Sequence, residues 1–165
     1  MRVIVLVITT ICIVACTRPT APPSPTTPPP AADLQEEEEE VEAGVLVTQP
    51  AEGSPEAVLQ TVIAAAMNPD EAAGWEALRG VLHSSISAPH ALQSYREMNF
   101  PASRRKVALF TPDDTKPHFR VVRTTTPSED KIKVFVHNEK SMPTPCTLRR
   151  DPEAEGAWRV YVCSL

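Results

Sequence analysis

The chain has 165 residues and a formal net charge of −5; 22% of its residues are charged, 42% are hydrophobic and only 5% are aromatic. This length accommodates one domain of ordinary size and little more. Membrane-spanning, coiled-coil and collagen classes are excluded because the sequence has no apolar run near about 20 residues, no sustained heptad and no glycine period.

The negative charge is concentrated in one segment of the chain. Residues 16–53 contain eight acidic residues and one arginine, whereas residues 54–165 contain 13 acidic and 14 basic residues. A nearly neutral domain beside an acidic segment has no long-range field that would attract a polyanion, and the glutamate run would repel phosphates. We therefore predict no nucleic-acid partner.

Residues 1–15 have the pattern of a signal peptide that ends before Cys16. Met1 and Arg2 precede an apolar stretch over residues 3–15, which is too short to cross a bilayer comfortably. The segment Ile13-Val14-Ala15-Cys16 resembles the lipobox of bacterial lipoproteins. The resemblance implies cleavage before Cys16, acylation of that residue by diacylglycerol and a further chain such as palmitate, and attachment to a membrane of the cell envelope.

In that lipoprotein family, an Asp directly after the lipidated cysteine favours retention in the inner membrane. Thr17 occupies this position here, so the resemblance implies the outer membrane in a host with two membranes. The alternatives are an ordinary secretory signal in which Cys16 occurs by chance, or an uncleaved anchor.

Residues 16–53 are predicted to form a disordered tether after the lipidated cysteine. Seven of the 18 prolines fall within residues 19–30, and an acidic run follows at residues 36–42. Polyproline segments are extended, and a glutamate run repels itself. The apolar trio Val45-Leu46-Val47 is interpreted as either unstructured or a weak added edge strand.

Residues 54–165 are long enough for one folded domain, and helices are predicted at its start. Ser54, Pro55 and Glu56 supply an N-cap, a first-turn proline and an acidic first turn. A second helix is predicted with Asn68 as its N-cap and Glu71 as the capping-box partner.

A third helical stretch is predicted from Pro89, closing at Pro101. The residues of the second and third stretches that we expect to face the core are Trp75, Leu78, Leu82, Leu92, Tyr95 and Met98.

The hydrophobic period then changes from 3.6 to 2, which predicts strands at residues 106–110, 119–125, 131–137, 146–149 and 158–163. Two or three N-terminal helices on one face of a curved antiparallel sheet is an α+β architecture. One predicted sheet face contains Ile132, Val134 and Val136 with Trp158, Val160 and Val162. The other contains Lys133, Phe135 and His137 with Arg159 and Tyr161.

The predicted chain order, helices followed by a meander of strands, is similar to that of the NTF2-like or cystatin-like α+β superfamily. The end of the chain, Trp158-Arg159-Val160 and Ser164-Leu165, is part of this resemblance. That superfamily includes transport factors, isomerases, cyclases, non-catalytic domains and small bacterial lipoproteins of unknown role. The resemblance therefore implies a fold and leaves the function open.

Two cysteines remain after Cys12 in the signal peptide and Cys16 at its end. Cys146 and Cys163 lie on successive predicted strands, at positions that an antiparallel pairing would place opposite or nearly opposite each other. We predict a disulfide, which an oxidising envelope favours. The alternatives are a zinc site, which would need two more ligands, and redox catalysis, which would prefer a CxxC motif.

A possible pocket between helices and sheet would be lined by Trp75, Tyr95, Tyr161 and His137. An isomerase-like reaction would need a carboxylate base and a hydroxyl donor there, and the two tyrosines could donate. Asp113 and Asp114 lie in a proline-bounded turn, where solvation is expected. No catalytic residue, metal ligand or cofactor is assigned, because the sequence lacks nucleophilic constellations, paired histidines and a phosphate-binding glycine loop.

The basic clusters Arg104-Arg105-Lys106 and Arg149-Arg150 are either solvated guards of loops and edges or contacts to an anionic lipid or polymer. The function predicted from the sequence is a membrane-anchored envelope lipoprotein with a non-catalytic domain that binds a protein or a cell-wall component. The alternative is a small-molecule binder or an isomerase-like or cyclase-like enzyme that uses the pocket.

Overall fold

The computed structural model describes residues 44–165, so the predicted signal peptide, Cys16 and most of the predicted tether lie outside the described residues. The described part has an α+β architecture, which confirms the predicted class. The helices are α1 (Pro55–Met67), α2 (Glu71–Arg79), α3 (Pro89–Ser94) and α4 (Phe100–Lys106). The strands are β1 (Val45–Val47), β2 (Phe119–Ser128), β3 (Lys131–Asn138), β4 (Ser141–Asp151) and β5 (Ala157–Cys163).

Side-chain caps start the first two helices. The Ser54 hydroxyl accepts a hydrogen bond from the Ala57 amide at 3.2 Å, as predicted. The prediction for α2 is wrong by two residues, because Asp70 is the N-cap and its carboxylate accepts from two amides of the first turn. Asn68 lies too early to reach those amides and instead ends α1.

Helices α1 and α2 approach each other closely at Gly74. A Cβ added to this glycine would collide with the carbonyl oxygen of Ala65 and would come within 3.2 Å of the Phe100 ring. The approach brings Trp75 and Leu78 of α2 into the core, where they are 5% and 2% exposed. Glycine is needed here for space, because any side chain would push the two helices apart.

The third helical stretch is longer than predicted and contains a π-helical turn. Residues Tyr95–Asn99 form the π turn between α3 and α4, so the helix continues through Pro101 to Lys106. Pro101 lies in the first turn of α4, where its missing N–H is tolerated. The wider turn also rotates the following residues, so Met98 is 68% exposed and the prediction that it faces the core is wrong.

The predicted strand at residues 106–110 is also wrong. Lys106 ends α4, and Val107–Leu109 form a 3₁₀ turn that places Phe110 in the core at 4% exposure. A short apolar run such as Val107-Ala108-Leu109-Phe110 does not distinguish strand from helix by its period. Here the amide of Phe110 donates to the carbonyl oxygen of Val107 and closes the 3₁₀ turn.

The sheet is an open antiparallel meander with strand order β1-β2-β3-β4-β5. Short turns join β2 to β5 in succession, and β4 is longer than the predicted strand at residues 146–149. Residues Val45–Val47 are the added edge strand, pairing with Phe119–Val121 of β2. At the opposite edge, the segment after α2 pairs with β5 through the amide of His83 and the carbonyl of Val160 at 2.9 Å.

The core lies between the helices and one face of the sheet, here called the inner face. On this face Val134, Val136, Leu148 and Val160 are fully buried, and Phe119 from β2 and Phe100 from α4 pack with them. The burial of these side chains is the main stabilising contribution of the fold.

A bulge in β5 changes which residues face the core near its end. Leu148 pairs with Val160 but Thr147 pairs with Val162, so Tyr161 is the extra residue. Cys163 therefore points inward at 9% exposure, whereas Val162 is 52% exposed. The prediction that Val162 shares the inner face with Val160 is wrong because simple alternation does not continue through a bulge.

Candidate functional site

The space between helices and sheet is filled by side chains. The largest residues there, Phe100, Phe119, Leu59 and Ile63, are at most 1% exposed, and Trp75 packs against Phe100 with ring centroids 5.9 Å apart. Buried polar groups are engaged locally: the Ser103 hydroxyl donates to the carbonyl oxygen of Leu165 at 2.7 Å. This interior offers no set of convergent polar groups to a ligand.

The four residues proposed for a pocket lie in three places. Trp75 is in the core, and His137 is half-buried near the end of β3, at the irregularity where its pairing with β4 shifts. Tyr95 and Tyr161 do come together, on opposite sides of a cleft of about 430 Å³ between the third helical stretch and β5.

This cleft has the chemistry of a shallow surface groove. Met98, Lys106 and Val162 contribute to its lining, and no carboxylate side chain does. Burial raises the pKa of the Tyr95 hydroxyl, so this group stays protonated at neutral pH and can donate a hydrogen bond. A donor without a nearby carboxylate or imidazole base does not make an acid–base pair.

Cys146 and Cys163 form a disulfide, as predicted. The two residues are direct partners in the β4–β5 ladder, with Cα atoms 4.1 Å apart. The bond lies at the inner face and joins the last strand to its neighbour, so the two sulfurs have a structural role and are not available as metal ligands.

Asp151 at the end of β4 holds the loop that follows α2. Its carboxylate accepts hydrogen bonds from the amide and hydroxyl of Ser84 at 2.7 and 2.8 Å, and from the amide of Glu153 at 3.0 Å. Burial raises the pKa of Asp151, but these hydrogen bonds outweigh it and the pKa lies below its ordinary value. The carboxylate is therefore a charged structural group.

The face of the sheet turned away from the helices is rich in cations. Lys131 of β3, Arg149 of β4 and Arg159 of β5 are direct neighbours in register and form a row across three strands. Lys133 follows two residues along β3, and Arg123 of β2 lies opposite Phe135. We call these five residues the outer cationic face.

Aromatic rings hold two of the guanidinium groups. Arg123 lies over the Phe135 ring at 4.0 Å and Arg149 lies over the Tyr161 ring at 5.1 Å. Arg149 also pairs with Asp130 at 3.3 Å, yet its Nε is buried without a hydrogen-bond partner. Within residues 44–165, Asp130 is the single carboxylate in an ion pair with this face.

Like charges placed directly opposite each other on neighbouring strands are destabilising. Repulsion within the row of three cations therefore opposes the stability of the sheet, although the Arg149–Asp130 ion pair and a hydrogen bond from the Arg159 guanidinium to the carbonyl oxygen of Gly80 offset part of it. The alternation of residues did place Lys133, Phe135, Arg159 and Tyr161 on one face, but the row was missed because it depends on the register of β3, β4 and β5. The pair Arg149-Arg150 is divided between the two sides, since Arg150 stacks on Trp158 at 4.4 Å.

No protein-family model, curated protein or solved structure matches this chain. None of the helices within residues 44–165 is long and apolar enough to span a membrane. In the same range, no three or more His, Cys, Asp or Glu side chains are grouped so that they could bind a metal ion.

Proposed function

We propose that this chain is a bacterial envelope lipoprotein, anchored through acyl groups on Cys16, which presents a non-catalytic binding domain on its tether. The lipobox-like segment Ile13-Val14-Ala15-Cys16 supports the anchor and the location, which we propose to be the outer membrane. The order of helices followed by an antiparallel meander supports a place in the NTF2-like or cystatin-like superfamily, which includes non-catalytic members.

The contrast between a filled interior and an exposed cationic face is the observation that carries the binding role. Trp75 and Phe100 pack in the space between the helices and the sheet. The outer cationic face, in contrast, is partly exposed, and Lys131 and Lys133 on it have no carboxylate partner within residues 44–165. We propose this face as the surface that contacts an envelope protein or a cell-wall component.

The anchor is tested by Cys16→Ser in the full chain expressed in a bacterial host, with Cys12→Ser as the matched control. Wild-type protein and the Cys12→Ser variant should partition into detergent and have a mass that lacks residues 1–15 and includes acyl chains. Cys16→Ser should lose both properties, because the acylated thiol is absent. A Cys16→Ser protein with the partitioning and mass of the wild type would contradict the proposal.

The cleft between Tyr95 and Tyr161 supports a second candidate, a small-molecule-binding role. Its volume of about 430 Å³ lies within the range of ligand sites. A small molecule bound there would shift the NMR signals of the Tyr95 ring and leave those of Lys131 unchanged, whereas a partner on the outer cationic face would shift Lys131 and leave Tyr95 unchanged.

A further inference from the structure

The outer cationic face has charges that its own fold does not neutralise. Residues 44–165 contain 14 acidic and 14 basic residues, so this part is neutral as a whole. On the outer face, however, five cations lie on four adjacent strands, and one of them pairs with a carboxylate. The outer face therefore has a local excess of positive charge in a domain that is neutral as a whole.

The face is flat and its cations are spread out. Neighbouring strands are about 4.8 Å apart, so the row from β3 to β5 extends over about 10 Å, and Arg123 on β2 lies about one strand further away. A pocket for one phosphate would need these groups to converge on a point. A spread of this kind instead matches an extended anionic surface, on which each cation meets a different negative group.

The chemistry of the side chains favours phosphate. Guanidinium groups bind phosphate through paired N–H donors, and two of the five cations on this face, Arg123 and Arg149, have guanidinium groups positioned by aromatic rings. Stacking on Phe135 and Tyr161 limits the freedom of Arg123 and Arg149 before binding, which lowers the entropic cost of ordering them on a surface.

Other occupants fit less well. A second copy of this chain, face to face, would place five cations against five cations. The exposed side chain of Val162 lies beside the charged row, opposite Thr147 in the ladder. Apolar contact beside phosphate groups is what the headgroup region of a bilayer provides.

We propose that the outer cationic face docks this domain onto the phosphate-bearing surface of an anionic phospholipid membrane. The inference rests on the binding role proposed above for this face, and it replaces a protein or cell-wall component with a membrane surface as the partner. An acyl anchor on Cys16 would raise the effective concentration of the domain at such a surface.

The experiment uses the chain from residue 16 onwards with Cys16→Ser, which retains the whole described fold and removes any contribution from acyl chains. Co-sedimentation is measured with phosphatidylcholine vesicles that contain or lack phosphatidylglycerol. Binding should require phosphatidylglycerol and should be lost when salt is raised from about 0.02 to 0.3 M, because exposed charges are screened. Vesicle binding that does not depend on phosphatidylglycerol, or its absence at low salt, would overturn the proposal.

A pair of matched triple variants then locates the surface. Lys131→Gln, Lys133→Gln and Arg149→Gln together should weaken binding by about a hundredfold, since each cation near an anionic bilayer contributes about fivefold. The control, Arg96→Gln, Arg105→Gln and Lys116→Gln, has the same charge change away from the outer face and should alter binding by less than about threefold. Equal losses in both variants would show a net-charge effect and overturn the proposal.

Two further measurements separate a loss of binding from a loss of folding, and a membrane partner from another polyanion. A urea titration of both triple variants should show stability within about 1 kcal/mol of the parent, because exposed or partly exposed ion pairs contribute little. If the first variant is unfolded, Lys133→Gln alone is used and should weaken binding by about fivefold. Dextran sulfate serves as a soluble polyanion: if it binds through the outer face while vesicles do not, the membrane partner is wrong and the proposed binding face remains.

Discussion

The two faces of the sheet follow different rules, and β3 shows both. Val134 and Val136 on its inner side are fully buried against helical side chains, whereas Lys131 and Lys133 on its outer side have no carboxylate partner in the described part of the chain. Packing density and transfer from water determine the residue type on the inner side. The outer side instead contains a row of like charges whose mutual repulsion disfavours folding, and for this reason we propose it as the binding side.

The largest expected effect on stability is the difference between substitutions at two phenylalanines, which lie on opposite faces of adjacent strands. Phe119 on the inner face is fully buried, and Phe135 on the outer face is half-buried beneath Arg123. Phe119→Ala should lower the free energy of unfolding by about 3–5 kcal/mol, because it leaves a cavity. Phe135→Ala should cost less than about 1.5 kcal/mol, since it loses partial burial and one cation–π contact. Urea titrations measure both, and equal losses would remove the distinction between the faces.

The disulfide is expected to have the next largest effect, because it fixes the inner-face residues of the last two strands. Cys146 and Cys163 enclose a loop of about 16 residues, for which the chain-entropy model gives about 3 kcal/mol. Reduction and the double variant Cys146→Ser/Cys163→Ser should therefore lower Tm by several degrees or more, and to the same extent. Two thiols labelled by alkylation without reductant in protein from the envelope would contradict the bond.

Substitution of Asp151 measures how much the contact between the end of β4 and the loop after α2 contributes to stability. Its lowered folded-state pKa means that its charge stabilises the fold fully above the unfolded-state pKa of about 3.9, and that this stability is lost as the pH falls through the folded-state pKa. Asp151→Asn should cost about 1.5–3 kcal/mol at pH 7, the range for hydrogen bonds to a charged group. It should also remove part of the acid sensitivity seen in urea titrations between pH 7 and pH 3.

The control for that experiment is Glu153→Gln, an exposed residue whose side chain has no hydrogen-bond partner. It should leave stability within about 0.5 kcal/mol of the wild type at both pH values. An acid dependence of Asp151→Asn identical to that of the wild type would show that another group is responsible.

The sequence predicted those parts of the fold that depend on local chemistry. The cap at Ser54, the alternation in β3 and the opposition of Cys146 and Cys163 each follow from residues close together in the chain or from a simple count. The π turn at Tyr95–Asn99 and the bulge at Tyr161 depend on how hydrogen bonds continue across elements, so they could not be read from periodicity.

Only part of the candidate site could be predicted from the sequence, for the same reason. Alternation assigned Lys133 and Arg159 to one face, but the row of Lys131, Arg149 and Arg159 exists only once three strands have a fixed register. Net charge was misleading as well, because the acidic residues of a neutral domain lie elsewhere and do not cancel a local patch.

Pairing of β1 with the sheet closes a much longer loop of chain than the pairing of any two later strands. The turns between β2 and β5 are short, so each of these pairings closes a small loop, whereas Val47 reaches Phe119 only after all four helices have been placed between them. Strand β1 has three paired residues and Val45 is 74% exposed, so its pairing contributes little free energy to offset the entropy lost on closing that large loop. We expect its amide protons to exchange with solvent before those of β3 and β4, so the edge of β2 is uncovered repeatedly while the rest of the native sheet stays intact.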